Sequence, residues 1–211
     1  MSVSSSSKCK RIVSLLKSHF GTIPWWPGDT DEVLIGAVLT QQTRWENVET
    51  ALGILKERDL DTISALYSAD PEQVQNAIRC TGFYRIKTKR LKGLAQYITE
   101  HHGGLQGMGA CPTPELRRGL LSVPGIGAET ADSILCYGFG RASFVIDAYT
   151  HRICRCNGIP EKGPDLKALF EGALPSDNGV YRQTHAHIVE FAKEYCGKKR
   201  CPECILKNSG V

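Results

Sequence analysis

Two short stretches carry the residues that could do chemistry. The first is Leu121-Ser-Val-Pro124-Gly125-Ile126-Gly127, which runs straight into the helical pattern Ala128-Glu-Thr-Ala-Asp-Ser. Glycines in such a turn expose backbone N–H groups, and the following helix adds its own free N–H groups and positive dipole end. Together they make a backbone anion site suited to phosphate, although a glycine-x-glycine turn also occurs as a plain connection between helices. The second stretch is Val145-Ile-Asp147-Ala-Tyr-Thr-His-Arg, with a lone carboxylate at the start of a helix. A carboxylate there can cap the helix, stabilise developing positive charge, or do both.

Three tryptophans, Trp25, Trp26 and Trp45, lie in the first quarter of the chain. Pro24 and Pro27 bracket the first two, which places that pair on a stiff loop. An indole face attracts cations better than any other aromatic side chain, so these rings, the Pro-bracketed pair above all, suit a cationic aromatic ligand; core packing is the alternative, and for Trp45 it fits equally well. A third cluster is Cys196-x4-Cys201-x2-Cys204 at the C-terminal end. The other six cysteines are scattered and read as small buried apolar residues.

Helical periodicity dominates the elements that must position these groups. Stripes or caps mark helices at about 9–21, 29–42, 45–57, 70–80, 85–102, 113–121, 128–139, 147–157, 164–173 and 178–195. Ala142-Ser-Phe-Val-Ile146 is the best strand candidate and it is short. The expected fold is all-α, with about ten helices. The 211 residues suffice for one large domain or two small ones sharing a core. No apolar run is long enough for a membrane span. The polar start MSVSSSSKCKR reads as a frayed tail without the apolar segment of a signal peptide. A net charge of +4 permits a polyanionic partner without demanding one.

The pattern L-x-x-P-G-I-G-x-x-T-A followed by Asp147 resembles the helix-hairpin-helix motif of the endonuclease III superfamily of DNA glycosylases. Val38-Leu-Thr-Gln-Gln-Thr43 looks like that superfamily's wedge segment, and the cysteine-rich end looks like its iron–sulfur loop. PWWP, LTQQTRWENV, GFYRIKTKRL and GIGAETADSILCY resemble most its 3-methyladenine glycosylase branch. The resemblance implies a two-lobed fold with the active-site cleft between the lobes. Residues 1–28 and 141–211 would form one discontinuous domain, and 29–140 a six-helix domain holding the hairpin. It implies Asp147 as the catalytic residue, and Trp25, Trp26, Trp45 and Glu129 at the base pocket. Gln41, Pro124, Gly125, Ile126, Gly127, Thr130, Lys198, Lys199 and Arg200 would contact DNA.

The implied activity is base excision from damaged double-stranded DNA, with alkylated purines such as 3-methyladenine as substrates. Oxidised pyrimidines or uracil and thymine mismatches are the alternative within the fold, and a non-catalytic DNA-binding module the alternative outside it. Strand-nicking relatives attack the sugar with a lysine amine, and that lysine falls at residue 129, where this chain has glutamate. A carboxylate forms no imine, so the expected enzyme is a hydrolase without lyase activity. Glu129 also reads as an acid placed favourably at a helix N-terminus. The enzyme is expected to work as a monomer in the cytoplasm, on the nucleoid. Cys196, Cys201 and Cys204 are expected to hold a [4Fe-4S] cluster. The family spacing is Cys-x6-Cys-x2-Cys-x5-Cys; here the first gap is shorter and Gly210 stands at the fourth position. A non-cysteine fourth ligand, a zinc site using His187 and a metal-free loop all stay open.

Overall fold

The structure, a computed structural model, describes residues 4–26 and 28–209. Pro27 and Gly210 lie outside the described residues. In chain order the α-helices are α1 (Ser5–Phe20), α2 (Thr30–Leu39), α3 (Trp45–Glu57), α4 (Ile63–Ser68), α5 (Pro71–Ala77), α6 (Tyr84–His102), α7 (Leu105–Ala110), α8 (Thr113–Ser122), α9 (Ala128–Ser133), α10 (Ala148–Cys156), α11 (Gly163–Ala173), α12 (Asn178–Phe191) and α13 (Ile205–Asn208). α9 and α12 continue into π turns, Ile134–Gly138 and Ala192–Gly197. The described residues contain no strand, so the chain is all-α.

The described residues form thirteen α-helices where about ten were expected, in the expected all-α fold. The additions are α4, α7 and α13, each of six residues or fewer, too short to show a period. The expected strand at 142–146 is extended but unladdered. Phe144 N–H donates to Glu171 Oε1 at 2.9 Å and Phe144 O accepts from Lys167 Nζ at 2.9 Å, so an i,i+4 ion pair on α11 satisfies the backbone groups that a neighbouring strand would take.

The chain divides into two compact units, 1–25 with 140–211, and 26–139. In the first, Phe144 stacks on Phe170 of α11 and meets Tyr181 of α12 edge-on. Segment 21–25 is held by α12: Gln183 exchanges two hydrogen bonds with the Ile23 backbone, and His187 Nε2 lies 2.6 Å from Gly21 O.

The second unit holds α2 to α9, eight α-helices instead of six because α4 and α7 fall within it. α2 is buried on nearly every side, from Val33 to Leu39, and is its central rod. Lys87 of α6, 1% exposed, closes the end of that rod. Its ammonium donates to Leu39 O, Thr43 Oγ1 and Thr81 O at 2.8–2.9 Å. Burial pushes Lys87 down to about 8. Lys87→Met keeps the chain length of the side chain but leaves Leu39 O without its donor. The expected cost is about 2 kcal/mol, a fall in Tm of roughly 4–8 °C by thermal circular dichroism. An unchanged Tm would show that water replaces the ammonium.

Candidate functional site

The hairpin in the second unit is built by a turn and by three supports. Ile126 N–H donates to Val123 O at 3.0 Å, and the Ile126 side chain is buried, so the turn hangs from the core. Gly125 has φ +88°, and a Cβ there would strike the Arg90 side chain at 2.5 Å, so glycine is required twice over. Gly127 differs from its expectation. Its φ of −88° and ψ of 179° are ordinary extended backbone, and no atom lies within 4 Å of a Cβ built on it. What Gly127 provides is open space in front of the first N–H groups of α9.

Below the hairpin, Arg117 of α8 grips buried Asp132 of α9 with two hydrogen bonds of 2.8 and 3.1 Å, locking the two helices together. Beside it, Gln41 Nε2 donates to Gly125 O at 3.1 Å and to Thr130 Oγ1 at 3.0 Å, while Arg90 donates to Gln41 Oε1. Gln41, Thr130 and the hairpin are therefore one hydrogen-bonded assembly. Pro124 and Glu129 are exposed on it.

Sequence reasoning missed Arg90, Arg117 and Phe83. Phe83 is 62% exposed at φ +46°, in the turn that precedes α6. That turn is tied to the Gln41 loop through Thr43 and Lys87, both bonded to Thr81 O.

In the first unit, Asp147 is the N-cap of α10, 8% exposed. Its Oδ1 accepts from Thr150 N–H and Thr150 Oγ1, both at 2.7 Å, and its Oδ2 lies 3.4 Å from His185 Nε2. Burial alone would raise this carboxyl. The His185 hydrogen bond and charge, with the two Thr150 donors, outweigh burial and hold it below the usual aspartate range. Asp147 is thus an ionised carboxylate at neutral pH, capping and charge-bearing together. His185 was not anticipated. His185 and His187 are two residues apart on α12 and serve different ends, the carboxylate and the Gly21 carbonyl.

The tryptophans separate. Trp25 meets His185 edge-on at 6.3 Å, and the Lys193 ammonium stands 5.5 Å above its ring. Trp26 belongs to the other unit, where it packs on Trp45 at 5.3 Å and Tyr137 at 5.5 Å. Its indole fills the place that a side chain at Gly36 would take, 2.6 Å from a Cβ there.

Cys196 lies in the π turn Ala192–Gly197, Cys201 opens the 3-10 turn Cys201–Glu203, and Cys204 caps α13. No cysteine is in a disulfide. Among the described residues no three His, Cys, Asp or Glu side chains converge on a single ion position. His187, bonded to Gly21 O and stacked on Phe20, does not join the cysteines. A cubane makes a different demand, with each thiolate on its own iron, and thiols on three successive turns suit it in chemistry. Lys198 and Lys199 are exposed, whereas Arg200 is paired with Glu194 and Glu203.

The HhH-GPD profile, described as a superfamily of base excision DNA repair proteins, matches residues 35–176. A candidate DNA repair glycosylase of Methanocaldococcus jannaschii is 43% identical over 93% of each chain. Endonuclease III of Thermotoga maritima is 32% identical over 85% of this chain and 82% of its own. A crystal structure of the H. pylori 3-methyladenine DNA glycosylase bound to 1,N6-ethenoadenine superposes with a TM-score of 0.79 at 29% identity, covering 88% of this chain and 97% of that one. With its hairpin, its capping aspartate and relatives matched nearly end to end, the chain belongs to the HhH-GPD superfamily of base excision DNA repair proteins, in the endonuclease III group of helix-hairpin-helix DNA glycosylases.

Proposed function

We propose that the protein is a monofunctional DNA glycosylase that hydrolyses the N-glycosidic bond of alkylated purines, 3-methyladenine among them, in double-stranded DNA. The observation that carries the chemistry is Asp147, a buried carboxylate kept ionised by Thr150 and His185. Departure of the base builds positive charge on the sugar. A fixed carboxylate stabilises that charge and orients the attacking water. Alkylated purines are already cationic and leave easily, so a second carboxylate acting as a strong acid is not required. The hairpin's backbone N–H groups take a phosphate, which positions the strand without reading its sequence. Gln41 and exposed Phe83 stand ready on one tied loop pair to fill or wedge the base stack when a base is flipped out.

Selection of a cationic base falls to Trp25. Lys193 already sits over its ring, an arrangement that supports reading this face as one that suits a cation. Trp26 and Trp45 act through packing, since they meet edge-on and Trp26 also covers Gly36. Glu129, exposed on the first turn of α9, cannot form an imine, which favours water as nucleophile. The C-terminal loop would hold an iron–sulfur cluster through Cys196, Cys201 and Cys204, a structural group that supplies no electrons to a hydrolysis. The protein is proposed to act as a monomer on the nucleoid; no helix among the described residues is long and apolar enough to cross a membrane.

Chromatography of free bases from methylated, oxidised and uracil-containing duplexes tests the activity. Release of 3-methyladenine with intact strands, and no borohydride-trapped complex, is expected. Preferred release of an oxidised pyrimidine would favour the second reading, and a trapped complex would reveal an amine at work.

Asp147→Asn retains an oxygen for the Thr150 cap but loses the charge. Base release is expected to fall by 10²-fold or more, about 3 kcal/mol, with DNA affinity and fold kept. Because the Asp147 carboxyl lies below its ordinary value, its stabilising contribution is present at neutral pH and disappears only as pH falls through that lowered value. Turnover near wild type in the mutant would remove Asp147 from the mechanism.

Trp25→Ala is expected to slow single-turnover release of 3-methyladenine by roughly tenfold, with Trp25→Phe between, in line with 0.5–2 kcal/mol for a cation–π contact. Equal slowing for a neutral base would show stacking without selection by charge.

A further inference from the structure

The cysteine loop is one ligand short, and a thiol from outside the loop stands next to it. Cys156 is the last residue of α10 and is exposed. α10 packs on the π turn Ala192–Gly197 that carries Cys196, and this turn packs on the 3-10 turn opened by Cys201. Cys204 follows at the cap of α13. One helix end and three successive turns of the same unit thus carry four cysteines on elements packed in series. The remaining cysteines are not candidates: Cys9 and Cys154 are buried, and Cys80, Cys111 and Cys136 belong to the other unit.

Cys196 feels the other three thiols. Burial pushes the Cys196 thiol up, and Cys156 pushes it further, ahead of Cys204 and Cys201. Arg152, one helical turn before Cys156, opposes the push. A cluster held by four thiolates carries net negative charge, and Arg152 with the exposed Lys198, Lys199 and Lys207 supplies a cationic surround.

We propose that Cys156 is the fourth protein ligand of a [4Fe-4S] cluster whose other ligands are Cys196, Cys201 and Cys204. All four thiols give up their protons when the iron and inorganic sulfide are taken up. The assignment goes beyond the proposed activity and does not depend on it. It also joins the C-terminal loop to the far end of the helix that Asp147 caps, so metal loss loosens α10 from its C-terminal end.

The test uses the full chain purified without oxygen, with iron, zinc and acid-labile sulfide measured per chain. Wild type is expected to hold about four irons and four sulfides. Cys156→Ser is expected to lose about fourfold or more of its iron, together with the visible absorbance of the cluster, while Cys80→Ser, an exposed control in the other unit, keeps both. Alkylation of the wild type mapped by mass spectrometry gives a reading that needs no mutant to fold. Cys156 should be protected while the cluster is present and react once chelator removes it, with Cys80 reacting throughout. Equal iron and sulfide in Cys156→Ser and wild type, alkylation of Cys156 as fast as Cys80 in loaded protein, zinc without sulfide, or no metal at all would each overturn the assignment.

Discussion

A charge withdrawn from water must find fixed partners, and three buried charges set the geometry of every functional element here. Lys87, Asp132 and Asp147 are all nearly inaccessible. Left unpaired, each would cost several kcal/mol. Lys87 joins the end of α2 to the turn before α6, Asp132 joins α8 to α9 through Arg117, and Asp147 starts α10 while facing His185. None lies in the middle of a packed face. Lys87 lies in the first turn of α6, Asp132 near the junction of α9 with its π turn, and Asp147 at the N-cap of α10, each tying its helix to another segment.

The consequence is that support and chemistry share atoms. One oxygen of Asp147 is spent on the Thr150 backbone and hydroxyl, the other faces His185. Gln41 has its amide committed on both sides, to the hairpin and to Arg90. On the proposed reading, Gln41 would have to break these bonds to enter the duplex. On α12, Gln183 and His187 clamp segment 21–25 while His185 touches both Trp25 and Asp147.

Much of this was legible in the sequence. The long helices announced themselves by period and by caps such as Asp29, Asp70 and Asp147, each of which accepts a backbone N–H. The glycine hairpin and Asp147 were legible because their chemistry is local. What escaped depended on partners far along the chain. α4 and α7 span too few turns to repeat. The extended run at 142–146 has the composition of a strand, but an ion pair on α11 occupies its backbone. Arg90 and Arg117 look like solvated helix charges until the hairpin closes on them. Trp25 and Trp26 are adjacent in sequence, yet the boundary between the two units falls between them. That α10 packs on the turn carrying Cys196 is likewise invisible in the loop's own spacing.

The two hairpin glycines illustrate how differently selection would see neighbouring positions. At 125 any side chain faces a left-handed backbone and the Arg90 stem at once, so a variant should be lost to misfolding and cellular clearance. At 127 the backbone is ordinary and the space empty, so the same variant should accumulate to normal levels. A survey that scores protein abundance would find position 127 silent, while one that scores survival of cells under an alkylating agent would find it intolerant. On the proposed reading, the gap between those two maps would mark where the chain meets its polyanion, independently of any structure of the complex.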